Sequence, residues 1–186
     1  ITTPDDNYTY LGNVKLLSYQ STLWRGKASM PLIVIASAGR SEIDLHIDYM
    51  KRVDHKIIYV PRHLTWEREL RQKLDKANLP YVWTTTATAA LQAREHIAIC
   101  WSFGQLNTLY SWSHICLMGD TFNHVGGHNL VEPAIENNYI LLGPNYKTCS
   151  DTLAMLPNEG YHICGDVSEL VRYTRFPVNV WNASSI

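Results

Sequence analysis

The chain of 186 residues is long enough for one well-packed domain and too short for two ordinary ones. Hydrophobic residues make up 46% of it and charged residues 18%, which excludes a disordered chain and predicts a globular protein with a real core. The formal net charge of -1 provides no overall field that attracts a polyanion, so nucleic acid is not an expected partner.

The N-terminal segment is predicted to be a connector. Residues 1–28 are polar and aromatic without a sustained period, and they lead into a domain expected to span residues 29–186. No window of about 18 apolar residues occurs, and the start lacks the basic and apolar regions of a signal peptide. The chain opens on Ile1 rather than Met, so we expect it to be a piece of a longer protein.

The predicted elements alternate along the chain. Short apolar runs predict strands at residues 32–37, 56–60, 81–85, 96–100, 114–119, 139–143 and 161–164. Helices are predicted at residues 41–53, 65–79, 104–113, from near Asn129, 146–156 and 167–174. This alternation predicts an α/β fold with a doubly wound parallel sheet. Such a sheet binds its ligand at the carboxyl ends of its strands, where the helices begin.

The four cysteines lie within these predicted strands and helices. None forms a C-x-x-C pair, so we expect reduced core thiols rather than metal ligands. They are Cys100, Cys116, Cys149 and Cys164.

The turn that precedes the helix near Asn129 is rich in glycine and polar residues. Gly126 and Gly127 allow a ligand to approach the backbone, and the free N–H groups of a helix start favour an anion such as a phosphate or carboxylate. His128 and Asn129 follow at the same helix start. Glu132 lies about one helical turn further on, where a carboxylate can accept hydrogen bonds from ribose hydroxyls.

Two alternatives need no such ligand. Asn129 followed three positions later by Glu132 is an asparagine version of a capping box. His124, His128 and Glu132 have the four-residue spacing of metal ligands on one helix face. The two glycines between the histidines disfavour a continuous helix, so no metal site is predicted.

Two further strand ends carry candidate binding residues. Arg62 and His63 follow the second strand, where an arginine can contact a phosphate or carboxylate through two hydrogen bonds. The turn after the fourth strand offers a hydroxyl and backbone groups for a base or phosphate. Its candidate residues are Ser102, Gly104, Gln105 and Leu106. Three such turns at one edge of a sheet predict a nucleotide site, since base, ribose and phosphate need converging contacts.

Several of these segments resemble one known family. "GGHNLVEPA" (Gly126 to Ala134) is similar to the G-G-H-N-x-x-E-P-A segment of Kdo transferases, which move 3-deoxy-D-manno-octulosonic acid from CMP-Kdo onto lipid A precursors in lipopolysaccharide synthesis. "LGNVKL" resembles the segment that joins the family's two domains. "VPRH" matches its strand-end motif, and "SFGQLNTLYSWSHICLMGDTF" resembles its M-G-E-L-x-x-L-Y segment and following strand.

The resemblance implies the donor-binding C-terminal half of a GT-B glycosyltransferase. Two Rossmann-like domains would face each other across a cleft, and the acceptor domain, with its catalytic acidic residue, would lie upstream. No catalytic residue and no cofactor are therefore expected in this chain. CMP-Kdo would contact Arg62 and His63, Gly104 to Leu106 and Gly126 to Glu132. The full-length protein would lie at the inner face of a bacterial inner membrane and meet a lipid A precursor through the missing domain.

The chain departs from the family pattern at two strand ends. It reads "SAGRSE" where the family has a small-residue strand end and S-T-H-x-G-E, so the Thr-His pair is lost while Ser37 and Glu42 remain. It has Phe103 to Leu106 in place of M-G-E-L. These departures leave open a donor related to CMP-Kdo or a diverged member of the family. Two other functions also stay open: a non-catalytic Rossmann-like binding module, and a GT-B enzyme that uses a UDP sugar.

Overall fold

Within residues 31–156 and 158–175, which the computed structural model describes, seven strands form one sheet whose neighbouring strands all run parallel. In chain order they are β1 (Leu32–Ala38), β2 (Lys56–Pro61), β3 (Tyr81–Thr84), β4 (Ile97–Cys100), β5 (Ile115–Met118), β6 (Tyr139–Leu142) and β7 (Tyr161–Ile163). Each coincides with a predicted apolar run, so the predicted parallel sheet is confirmed. The predicted connector, residues 1–28, lies outside the described residues.

Helices follow most of the strands. They are α1 (Ile43–Arg52), α2 (Glu67–Lys76), α3 (Ala87–Gln92), α4 (Leu106–Tyr110), α5 (Val131–Ile135), α6 (Ser150–Leu153) and α7 (Val167–Arg175). Short 3-10 turns occupy Arg40–Glu42, Lys147–Cys149 and Asn158–Gly160. None of the helices in the part of the chain described here has the length and apolar character needed to cross a membrane.

Apolar side chains cover both faces of the sheet, because successive residues of a strand point to opposite faces. Ile33 and Ile35 of β1 pack with buried residues of α1, α2 and α7. Val34 and Ala36, also of β1, pack with buried residues of α3, α4, α5 and α6. Helices on both faces make the sheet doubly wound, as predicted.

The structure differs from the predicted helices in two places. The sequence pattern predicts no helix between β3 and β4, yet α3 begins there after Thr86, whose hydroxyl accepts a hydrogen bond from the N–H of Ala89 at 3.2 Å. The alanines of α3 form no strong apolar stripe, and the capping residue Thr86 is the clearest sequence signal for this helix. The helix predicted over residues 146–156 is instead a 3-10 turn followed by the four-residue α6. Its Thr148 hydroxyl bonds the carbonyl of Gly126, so tertiary contact shapes this segment.

The strand order places a crevice between β1 and β5. The order is β3-β4-β2-β1-β5-β6-β7, so the chain first builds the sheet on one side of β1 and then returns to build it on the other. Beside this switch point the two strand ends touch closely. A Cβ on Gly119, just after β5, would lie 2.4 Å from the carbonyl oxygen of Ser37, so no larger residue fits there. The carboxyl ends of β1 and β5 are where a doubly wound sheet binds ligands.

Candidate functional site

A cavity of about 760 Å³ opens at the carboxyl ends of β1, β2 and β5. We call it the switch-point cavity; its volume lies within the range of about 300–1,000 Å³ that is common for small-molecule sites. It is lined by residues from the three strand ends, α2 and the loop after β5. These are Gly39, Arg40, Ser41, Arg62, His63, Thr65, Trp66, Glu69, Lys73, Asp120, Val125 and His128.

Glu42 connects the carboxyl ends of β1 and β5 through hydrogen bonds, and it does not itself line the cavity. It lies in the 3-10 turn between β1 and α1 and is 2% exposed. Its Oε2 accepts the N–H of Asp120 and its Oε1 accepts the N–H of Phe122, both at 2.6 Å. Burial raises the pKa of Glu42, while hydrogen bonds from the backbone of Phe122 and Asp120 act in the opposite direction.

Asp120 links Glu42 to His128, which lines the cavity. It directly follows β5 and Gly119, has a φ of 59°, and is 6% exposed. Its Oδ2 lies 2.8 Å from Nε2 of His128, and its Oδ1 accepts a hydrogen bond from Nδ2 of Asn123 at 2.6 Å. A Cβ on Gly39 would lie 1.8 Å from Oδ1 of Asp120, so the absence of a side chain there leaves room for this carboxylate.

The N–H groups of the two glycines in the turn, which the sequence predicts to be free for an anion, are hydrogen-bonded within the protein. The N–H groups of Gly126 and Gly127 both donate to the carbonyl oxygen of Asp120, each at 2.9 Å. The two glycines have φ values of 95° and 87°, so they allow the chain to fold back on Asp120. The following helix, α5, begins at Val131 and has five residues. The turn therefore offers no free helix-start N–H groups at these glycines.

Asn129 and Glu132 bind each other. Nδ2 of Asn129 donates to Oε1 of Glu132 at 2.9 Å, and Oδ1 of Asn129 accepts the N–H of Val131 at 3.1 Å. This favours a local structural role of the kind expected for a capping box, although the bond to Glu132 joins two side chains. Their predicted contact with ribose or an anion stays a prediction.

The cations of the switch-point cavity differ in their pairing. Arg40 donates to Glu69 at 2.7 Å, and Lys73 donates to Asp44 at 2.6 Å. The backbone N–H of Arg62 is fixed by the carbonyl of Ala38 at 2.9 Å. Its exposed guanidinium forms no hydrogen bond or ion pair with the residues that the structure describes. Arg62 therefore presents unpaired donors at the opening of the cavity.

The third predicted turn has a local partner instead. Oε1 of Gln105 accepts the N–H of Ala87 at 2.8 Å, so this side chain joins the turn to the start of α3. Its Nε2 donates to the carbonyl of Phe103. The turn contributes no side chain to the lining of the switch-point cavity. Ser102, Gly104 and Leu106 are not among the residues that line this cavity, and their predicted contact with a nucleotide stays a prediction.

The metal alternative has no support in the geometry. Across residues 31–156 and 158–175, no group of three or more His, Cys, Asp or Glu side chains is arranged to hold a metal ion. His128 pairs with Asp120, and Glu132 pairs with Asn129. All four cysteines are free and buried, and burial raises the pKa of Cys149 to about 11 and of Cys164 to about 12.

The structure adds residues that the sequence patterns do not select. Arg62, His63 and His128 were predicted and meet in one cavity. Asp120 and Glu69 were not predicted as site residues. An acidic residue just after a buried strand and a glycine is a usable signal for Asp120, because strand ends carry ligand contacts. Glu69 lies within a helix, and only the packing of α2 brings it to the cavity.

Comparison with known proteins gives relatives that extend well beyond this chain. No family model matches. The 3-deoxy-D-manno-octulosonic acid transferase of Chlamydophila psittaci is 31% identical over 182 residues, covering 89% of this chain and 41% of the relative. The enzyme of the same name from Chlamydia muridarum is 28% identical over 90% of this chain and 42% of the relative. The chain therefore spans about two fifths of the length of these relatives.

A solved structure has the same fold. The crystal structure of the C-terminal CMP-Kdo binding domain of WaaA from Acinetobacter baumannii matches with a TM-score of 0.65 and 23% sequence identity. The match covers 77% of this chain and 78% of that one.

Fold and cavity together define a class: a Rossmann-like α/β domain of the GT-B type, with a small-molecule cavity at its switch point. Over about nine tenths of its length, the chain is similar in sequence to the 3-deoxy-D-manno-octulosonic acid transferases, the Kdo transferases. It shares its fold with the C-terminal CMP-Kdo binding domain of WaaA.

Proposed function

We propose that this chain is the donor-binding half of a Kdo transferase and holds CMP-Kdo in the switch-point cavity. The observation that carries the proposal is the guanidinium of Arg62, which has no hydrogen-bond or ion-pair partner among the described residues and lines the same cavity as His128 and the buried Asp120. The name of the solved structural neighbour, a CMP-Kdo binding domain, supports the same ligand.

In the transfer of Kdo, the donor-binding half needs to bind CMP-Kdo and to stabilise the charge that develops on its phosphate. When the bond between Kdo and the phosphate of CMP breaks, negative charge grows on the departing phosphate. A guanidinium can hold that charge through two parallel hydrogen bonds, which stabilises the transition state more than the ground state. The base that takes the proton of the acceptor hydroxyl would come from the upstream domain of the longer protein.

The acceptor and the location follow from the same proposal. The acceptor would be a lipid A precursor of lipopolysaccharide synthesis, bound by the upstream domain. The longer protein would act peripherally at the inner face of the bacterial inner membrane. The similarity to Kdo transferases supports both points, and the chain spans only about 41% of its Chlamydophila psittaci relative.

Calorimetric titration of the 186-residue chain tests the proposal. CMP is expected to bind more tightly than UMP or UDP, and the chain alone is expected to transfer no Kdo. Arg62→Gln should lower CMP affinity about tenfold or more, the scale of a hydrogen bond between charged groups, and should change cytidine affinity much less. Arg68→Gln, on an exposed position of α2 away from the cavity, is the matched control.

The same titration separates the two alternatives. Tighter binding of UDP than of CMP would indicate a GT-B enzyme that uses a UDP sugar. Binding of none of these nucleotides would indicate a non-catalytic module. Equal losses of CMP and cytidine affinity in Arg62→Gln would contradict the phosphate contact of Arg62.

A further inference from the structure

The loop after β5 donates two backbone hydrogen bonds to a buried side chain that does not line the cavity. Glu42 is 2% exposed and reaches across 78 sequence positions to accept the N–H of Asp120. Its second oxygen accepts the N–H of Phe122. A buried carboxylate that uses both oxygens on two backbone donors of one loop restrains that loop strongly, because each donor would otherwise be left unpaired.

The same loop residue fixes the orientation of His128. A carboxylate oxygen of Asp120 faces Nε2 of His128 at 2.8 Å, so Nε2 carries the proton in the neutral ring. Nδ1 forms no hydrogen bond with the described residues and is the ring nitrogen left for a ligand. Asn123 donates to the other oxygen of Asp120, which further restricts the carboxylate.

We propose that Glu42 is a positioning residue for the donor site: it holds Asp120 so that Asp120 fixes the ring orientation and tautomer of His128. This inference rests on the proposed function only for the identity of the ligand. Glu42 touches no ligand itself, since it lies beneath the cavity and acts through two hydrogen bonds in series.

The surroundings of Glu42 are consistent with a fixed acceptor rather than a mobile acid. The imidazole of His46 lies 3.7 Å from Oε2 of Glu42, and burial lowers the pKa of His46 to about 3, so it stays neutral there. Tyr59 packs edge-on against His46 at 5.6 Å between ring centroids. Neither group supplies a cation for Glu42, and the two backbone donors of the loop remain its close partners.

Glu42→Gln tests the link with little change of shape. The amide keeps one accepting oxygen and turns an NH₂ group toward the second backbone donor, so one of the two hydrogen bonds is lost. In the 186-residue chain, the imidazole ¹⁵N signals of neutral His128, assigned with His128→Asn, are expected to show the Nε2–H tautomer. In Glu42→Gln they should shift toward a mixture of tautomers, while those of His96 stay unchanged. His96 directly precedes β4, so it lies at the amino ends of the strands, while the cavity lies at their carboxyl ends.

Ligand binding supplies the second readout. Glu42→Gln is expected to weaken CMP binding about tenfold and cytidine binding much less. Glu67→Gln is the control, because Glu67 pairs with Arg71 on the surface of α2 and not with the loop. Glu42→Asp, which keeps the charge but shortens the side chain, should also disturb the tautomer and provides a second folded variant.

The outcomes separate this inference from the proposed function. Unchanged His128 signals in folded Glu42→Gln or Glu42→Asp would overturn the positioning role, whatever happens to CMP. Disturbed His128 signals in a chain whose wild-type form binds no CMP would support the positioning role and overturn the donor assignment alone.

Discussion

At the scale of single residues, Asn129 shows how a side chain predicted to meet a ligand is used by its neighbours. Its amide donates to Glu132 and its oxygen accepts the N–H of Val131, so both ends are occupied. An asparagine is the residue that satisfies both, since its side chain carries a donor and an acceptor. The pair fixes the start of α5, a helix too short to stabilise itself.

Asn129→Asp is therefore expected to destabilise the fold. The change replaces the donor by a carboxylate beside the carboxylate of Glu132, where two like charges about 4 Å apart cost roughly 1–4 kcal/mol, depending on how wet the site is. Thermal unfolding should show a lower Tm. The double variant Asn129→Asp/Glu132→Gln should recover most of the loss, because the glutamine amide can donate to the new carboxylate. A Tm equal to that of the wild type in the single variant would show that the pair contributes nothing.

At the scale of elements, the site is made by loops that leave neighbouring strands at the same edge of the sheet. The end of β1 supplies Gly39 and, through the 3-10 turn, Glu42, while the end of β5 supplies Asp120. The end of β2 supplies Arg62, whose backbone is bonded to Ala38. The short helices α4, α5 and α6 cover one face of the sheet and lie outside the cavity lining.

The helix α3 gives a test of local stability at this scale. The hydroxyl of Thr86 caps it, so Thr86→Ala should lower the free energy of unfolding by about 1 kcal/mol. Thr85→Ala, one residue earlier at an exposed position without a described capping bond, is the control and should change it by less than about 0.5 kcal/mol. Urea unfolding measures both. Similar losses in the two variants would mean that the cap is not what stabilises α3.

At the scale of the whole molecule, a neutral histidine is enclosed in the core layer formed by α1, α2 and α7. His46 has no exposed surface, and neither of its ring nitrogens has a hydrogen-bond partner among the described residues. Burial lowers the pKa of His46 from 6.5 to about 3. Protonating the ring thus favours the unfolded chain, in which the same imidazole is hydrated.

The stability of the protein is therefore expected to fall as the pH is lowered. Between pH 6.5 and about 3, the unfolded chain binds a proton at His46 that the folded chain does not bind. This term lowers the free energy of unfolding by up to about 1.4 kcal/mol per pH unit. Glu42 acts with the opposite sign, because its pKa is raised and its contribution is lost as the pH rises through the folded value.

His46→Phe isolates the histidine term, since it leaves Glu42 in place. Urea unfolding of both proteins at pH 7, 6 and 5 should give a less steep loss of stability in the variant, with a difference that grows as the pH falls. Parallel curves for the two proteins would contradict the buried, neutral state of His46.

The sequence by itself determined the strands, most helices, the parallel doubly wound sheet and three residues of the cavity. Apolar runs and helical spacing are local patterns, and the rule that ligands bind at strand ends selects Arg62, His63 and His128 from the sequence alone. The resemblance to Kdo transferases was likewise predicted from short sequence motifs, and the similarity over 89% of the chain to the Chlamydophila psittaci enzyme agrees with it.

Only the tertiary structure decided which groups at those strand ends are free and which are already bonded. The glycine N–H groups are taken by the carbonyl of Asp120, and Glu42 bonds a loop 78 positions away. Such partners depend on which strands become neighbours, and the placement of β1 beside β5 is not encoded in either strand's own apolar pattern. A buried polar group must find a partner wherever the fold brings one, so hydrogen bonds of this kind are fixed by the assembled sheet.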